Sequence, residues 1–292
     1  VKAVANQDTS TFRNRRIDLH SHSIHSDGTL TPCQLIEAAH QAGLAALSIT
    51  DHDSTDGLIE AEECVRPSMQ IELIAGVELS SSIKDLDVHV LGYYIDPSEP
   101  RLADLIDRCQ KARVDRARKM LSKLQCMGID VPLENVLSEA GPGAVGRPHI
   151  AQAMVNGGHV DSYDMAFVRY IGYHGPAYVP KLKIEPREAF AAILRARGIP
   201  VLAHPSIDKI DNLIPLFTEQ GLMGLEAWHP HHTPEDVQRY LRMAENLGLV
   251  VTGGSDYHGN RRIGSSLGVP IVPYRCVDGL KQARDGLVDV PL

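Results

Sequence analysis

No run in this chain is long and apolar enough to span a bilayer, which excludes a transmembrane helix. No Cys-x-x-Cys pair occurs either: Cys33, Cys64, Cys109, Cys126 and Cys276 are scattered and odd in number. That pattern sets thiolates aside as metal ligands and points to a reduced, cytoplasmic setting in which the cysteines fill core space. Residues 1–16 lack the apolar stretch of a signal peptide and read as a loose tail. Basic residues are outnumbered, 29 against 37 acidic, for a net charge of −8. This balance argues against a general nucleic-acid coat held by surface lysines and arginines. Repeats, low-complexity tracts and long linkers are also missing. What remains is an ordinary globular composition, 43% hydrophobic and 23% charged over 292 residues. Such a chain can bury a sizeable core, as two domains or as one α/β barrel with an insertion.

Against this plain background stand imidazoles and carboxylates in short motifs. Asp18-Leu19-His20-Ser21-His22 is followed by Ser26-Asp27-Gly28, Thr50-Asp51-His52-Asp53, Gly76-Val77-Glu78 and Val88-His89-Val90. Ala203-His204-Pro205 and Ser255-Asp256-Tyr257-His258 complete the set. Nine residues, His20, His22, Asp27, His52, Glu78, His89, His204, Asp256 and His258, offer the nitrogen and oxygen donors that suit zinc, manganese or iron. Taken singly, each has a plainer reading. His204 fits a satisfied core histidine, Asp27 a turn residue, Asp51 a helix cap and Glu78 a solvated strand end. Those readings give nine residues no reason to share one location.

Secondary-structure patterning supplies that reason. β-Rich runs recur at Arg16–His20, Ala45–Thr50, Ile71–Val77, Asp87–Tyr94, Ile199–Ala203, Gly224–Trp228 and Leu249–Gly253. Amphipathic helical stretches such as Pro32–Ala42, Pro186–Arg197 and Pro234–Leu247 alternate with them. Parallel βα units and a seven-stranded barrel follow, with nearly every candidate ligand at or just beyond a strand's C-terminal end, where barrel enzymes carry their sites. His89 is the exception, lying within its strand. Residues 96–185 break the rhythm, with a long helix over Arg101–Met127 stopped by Gly128 and then a Gly/Pro-rich part. The expected organisation is a barrel of residues 17–95 and 186–292 with a mainly helical cap of residues 96–185.

The motifs from Asp18 to His258 together resemble the polymerase-and-histidinol-phosphatase (PHP) family over about Ile17 to Leu267. Within it, His89-Val90-Leu91-Gly92, Gly146-Arg147-Pro148-His149 and Tyr178-Val179-Pro180 resemble the branch of small phosphoesterases. The resemblance implies a distorted seven-stranded TIM-like barrel holding three divalent ions, manganese first, iron or zinc as alternatives. One ion would take His20, His22, Glu78 and Asp256. A second would share Glu78 and add His89 and His204, while a third would use Asp27, His52 and His258. Asp18 and Asp51 would support ligands from behind. A hydroxide bridging two ions would hydrolyse the 3′-phosphate of a nucleoside 3′,5′-bisphosphate, and short RNA could be trimmed from its 5′ end. Two cap-helix arginines one turn apart, Arg113 and Arg116, would contact the second phosphate. A solvated helix face is their alternative. Arg147 and His149 could clamp phosphate or simply pack a helix start, and Lys181 is a further candidate.

His229, in the cluster His229, His231 and His232, could serve as a proton donor, with Asp256 also in the catalytic set. Small phosphorylated molecules are thus the expected partners, with neither a membrane nor a stable protein partner implied. Rival substrates are histidinol phosphate and a cyclic sugar phosphate. An amide hydrolase is a further enzyme rival, and from other classes come a non-catalytic metal-binding scaffold and a nucleic-acid binding module.

Overall fold

A computed structural model describes residues 16–84, 86–259 and 265–288. The tail expected at residues 1–16 lies outside this range except for Arg16. All seven expected strands form: β1 (Arg16–Ser21), β2 (Ala46–Ile49), β3 (Glu72–Ile83), β4 (Leu86–Tyr93), β5 (Ile199–Leu202), β6 (Gly224–Trp228) and β7 (Val250–Gly253). An eighth, β8 (Val272–Pro273), was too short to read from pattern. They make one sheet in the order β7-β6-β5-β4-β3-β2-β1-β8. The sheet nearly closes on itself where Ser21, ending β1, bridges Tyr257 beyond β7. The architecture is therefore α/β and TIM-like.

The expectation of parallel βα units fails at β4, which runs antiparallel to both β3 and β5. The link from Ile83 to Leu86 is far too short for a crossover, so the chain can only turn back. Helices α1 (Pro32–Gln41) and α2 (Gly57–Cys64) flank one side. Thr31 and Gln34 cap α1 reciprocally, with Pro32 at its first position. Here a second expectation is corrected: Cys33 and Cys64 are joined by a disulfide, their Cα atoms 5.3 Å apart. The spacing of 31 residues concealed it, because only the packing of α1 against α2 brings the two together. Cys109 and Cys276 are buried free thiols, as expected, and Cys126 is exposed.

Between β4 and β5 come α3 (Pro100–Cys126), α4 (Leu133–Ala140), α5 (Arg147–Asn156), α6 (Tyr163–Ala166) and, leading back to the sheet, α7 (Pro186–Arg195). Met120, Leu124, Val136, Ile150, Met154 and Ile171 form an apolar cluster among the first four of these helices and the turn after them. A separate cluster packs Leu105, Phe190, Ile193 and Phe217 against Val88, Val90 and Leu225 of the sheet. The remaining helices are α8 (Pro205–Asp208), α9 (Ile214–Glu219), α10 (Pro234–Leu247) and α11 (Arg275–Val288). Among the described residues no helix is long and apolar enough to cross a membrane.

Candidate metal centre

β1 is extended, so His20 and His22, two positions apart, project from the same side, their ring centroids 5.1 Å apart. Glu78 comes from β3. The antiparallel register pairs Ser80 with His89, which puts His89 diagonal to Glu78 on the same face. This pairing explains how a mid-strand histidine reaches the site: His89 Nδ1 lies 2.8 Å from Glu78 Oε1. The loop after β2 adds His52, whose Nδ1 is 3.0 Å from Glu78 Oε2. Beyond β5, His204 Nε2 stands 3.3 Å from Glu78 Oε1. Beyond β7, Asp256 Oδ1 lies 3.2 Å from His22 Nε2 and 3.5 Å from His20 Nε2. His258 Nε2 completes the ring 3.2 Å from Asp27 Oδ1. All nine expected ligands converge.

Their spacing fits divalent ions. Donors held about 2.1 Å from a common ion are themselves roughly 3.0–3.4 Å apart, the edges of a coordination polyhedron. Ligand atoms of His22, Asp27, His52 and His258 lie within 4.8 Å of one another, as do those of His20, His22 and Glu78, and of His52, Glu78 and His89. Buried atoms His22 Nε2, Asp27 Oδ1, His52 Nδ1, His89 Nδ1 and His258 Nε2 make close contacts within the cluster but no well-aligned hydrogen bond among the described residues. Buried polar atoms are rarely left so, and five aimed into one space call for cations. The carboxylates are ready for them. Burial opposes the charge of Glu78, Asp27 and Asp256, yet the surrounding histidines hold all three well below the usual carboxylate range.

A second layer fixes the ligands. Asp51 accepts from Ser23 N, Ser23 Oγ and Ser26 Oγ at 2.6–2.7 Å, shaping the loop that presents Asp27. Asp18 accepts from Ser255 N and Gly268 N, tying β1 to the segment after β7. Glu226 was not foreseen. Its Oε1 accepts from His20 Nδ1 at 2.9 Å, and its Oε2 accepts from His204 N at 2.8 Å. The available signal was a glutamate in the middle of an otherwise apolar strand, Gly224-Leu225-Glu226-Ala227-Trp228. A histidine ligand whose outer nitrogen donates to a carboxylate is held in one tautomer and one orientation.

Above this floor opens a cavity of about 200 Å³ whose walls include Asp87, Arg147, Lys181, Ile207 and His231. Lys181 Nζ is 2.9 Å from His89 Nε2 and 3.2 Å from Asp87 Oδ2. Arg147 lies over the rings of Phe167 and Tyr178. Lys181 also borders a smaller cleft lined by Asp53, Ser80, Arg113 and Arg116. Arg116 is only 8% exposed. Its Nε donates to Val179 O at 2.7 Å, and its buried Nη2 has no partner among the described residues. Burial, with Arg147 and Arg113 nearby, lowers this guanidinium to about 10. Arg113, in contrast, directs its donors at Asp53, Ser80 and Val145. His149 Nδ1 accepts from Gly146 N at 3.0 Å, which is the helix-start role. His229 is buried, accepts from His231 N at Nδ1 and turns Nε2 toward Asp256 Oδ2 at 3.4 Å.

Comparisons with known proteins agree with this geometry. The PHP domain model matches residues 18–254. A 3′,5′-nucleoside bisphosphate phosphatase of Chromobacterium violaceum is 34% identical over 264 residues, 87% of this chain and 92% of that one. A 5′-3′ exoribonuclease of Haemophilus influenzae is 32% identical, covering 84% and 90%. A phosphoribosyl 1,2-cyclic phosphate 1,2-diphosphodiesterase of Eggerthella lenta is 33% identical, covering 83% and 94%. Among solved structures, a Bifidobacterium adolescentis protein described as a metal-dependent phosphoesterase superposes with a TM-score of 0.84 at 32% identity, covering 93% and 96%. The chain belongs to the PHP domain family, as a metal-dependent hydrolase of phosphate esters.

Proposed function

We propose that the protein removes the 3′-phosphate of nucleoside 3′,5′-bisphosphates, using three divalent ions, manganese first among them. The observation that carries this reading is the buried Nη2 of Arg116, without a partner among the described residues, in a cleft joined through Lys181 to the cavity over the histidine-carboxylate floor. Arg116 also donates to Val179 O and lies over the Tyr178 ring, and its remaining donor suits a second anion besides the phosphate at the metals. In this reading His20, His22, Glu78 and Asp256 hold one ion, Glu78, His89 and His204 another, and Asp27, His52 and His258 the third. Bound ions supply Lewis acidity and lower the pKa of water toward neutrality. The chain's own residues do the rest. Glu78 and Asp256 bring the negative charge that retains the ions, Arg147 and Lys181 face the phosphoryl oxygens, and Arg116 takes the remote phosphate so that its binding energy orients the reaction. His229, its Nε2 3.4 Å from Asp256 Oδ2, would hand a proton to the leaving oxygen. A barrel of residues 17–95 and 186–292, capped by residues 96–185 and working in the cytoplasm, completes the proposal.

Phosphate release from adenosine 3′,5′-bisphosphate by manganese-loaded protein, against AMP and histidinol phosphate, is the test. Rapid release from the bisphosphate alone is expected, with Arg116→Ala raising KM for it. Silence on all three, with metal bound, would overturn the nucleotide reading and leave a cyclic phosphate or a short RNA as substrate. The relatives named for those two substrates make them the next arms of the assay.

A further inference from the structure

Arg113 lines the same cleft as Arg116, one turn away on α3, yet it is already engaged by the protein. Nε donates to Asp53 Oδ2 at 2.6 Å, Nη2 to Ser80 Oγ at 2.9 Å and Nη1 to Val145 O at 3.4 Å. Asp53 directly follows the ligand His52 and sits in the left-handed region, φ 50°, without being glycine. Such a conformation persists only where its surroundings over-determine it. Here they do. Asp53 N donates to Glu78 O at 2.9 Å, its carbonyl accepts from Gln110 Nε2 at 3.0 Å, and Oδ1 accepts from Ser80 N at 2.7 Å. Gln110 and Arg113 are three apart on α3, so a single turn of that helix grips residue 53 by both backbone and side chain.

We propose that Arg113 is a positioning residue: through the Asp53 carboxylate, helix α3 locks the turn that aims His52 at Glu78, and the metal centre is completed by the helix between β4 and β5. The proposal rests on the metal reading above and divides the arginine pair between two tasks, with Arg116 on the substrate and Arg113 on the centre itself. A divided pair makes distinct demands of each substitution. Removing Arg113 strands a buried carboxylate and frees the His52 loop. Removing Arg116 leaves that loop untouched.

Arg113→Ala, Arg113→Lys, Asp53→Asn and Arg116→Ala test this by three measurements: manganese isotherms without substrate, amide exchange of residues 50–56 in metal-free protein, and kcat and KM on adenosine 3′,5′-bisphosphate. Arg113→Ala and Asp53→Asn should weaken metal binding about 10–100-fold, the usual cost of losing an outer partner of a ligand. They should also speed exchange at residues 50–56 and lower kcat at fixed metal with KM unchanged. Arg113→Lys keeps the charge without the fork and should recover only part of the affinity, while remaining folded if the alanine variant is not. Arg116→Ala should raise KM and leave the isotherm and the exchange alone. Wild-type isotherm and exchange in Arg113→Ala, with KM raised, would make Arg113 a phosphate contact and overturn the proposal. Should the wild-type protein bind no manganese, the metal reading falls separately, and exchange at residues 50–56 still decides whether Arg113 holds the loop.

Discussion

Glu226 shows how much a single buried carboxylate can govern. Each of its oxygens accepts a hydrogen bond from a different strand end, His20 Nδ1 on one side and His204 N on the other. Glu226→Gln keeps the shape but turns an amide N–H toward one of those donors. The expected result is manganese binding weakened about 10–100-fold in isothermal titration, and an unchanged isotherm would rule the role out. His22 gives a pH dependence. Burial works against its charge, but the Asp256 and Glu78 carboxylates raise it from 6.5 to about 9. In metal-free protein this raised value contributes stability that is full below about pH 6.5 and is lost as pH rises through about 9. A cation must displace that proton, so manganese affinity should climb between about pH 6.5 and 9, with proton release on binding. Affinity flat across that window would mean His22 is neutral there.

At the scale of elements, the β3–β4 hairpin and one glycine loop position the centre. The hairpin register, pairing Ser80 with His89, carries His89 to Glu78. The loop before α5 rests on the loop bearing Asp27, where Ala144 N donates to His25 O at 3.1 Å. A Cβ on Gly143 would fall 2.5 Å from Ile24 O and 2.8 Å from Ser26 O, both backbone atoms that cannot rotate away. Gly143→Ala should therefore cost about 1–3 kcal/mol, as overpacking does, read as a lower denaturation midpoint in urea. No change in midpoint would show that the loop stands clear of residues 22–28. The helices were well marked in the sequence, since Thr31-Pro32 and Thr233-Pro234 begin α1 and α10 with their own caps. Strand direction was not. It depends on the length of a link, and the β-rich run beginning at Ile71 was read as ending at Val77, where β3 in fact continues to Ile83. The Cys33–Cys64 pairing escaped for the same reason, being a product of helix packing.

Over the whole molecule, the ions and the fold depend on each other. Glu78, Asp256 and Asp27 are carboxylates gathered in one buried space, and divalent ions relieve their repulsion. Manganese at about 100 times its dissociation constant should add about 2.7 kcal/mol per independent site. A rise in Tm on adding manganese, reversed by a chelator, would register it. A Tm indifferent to saturating manganese would sink the metal reading. The convergence of the nine donor residues and the barrel class were legible from residue types and their recurrence after apolar runs, because donor chemistry and strand periodicity are local properties. Glu226 with His20 and Asp53 with Arg113 were not, for these partners stand 206 and 60 residues apart in the chain. Their meeting is decided by strand register and by where α3 docks, and only the packed molecule sets those.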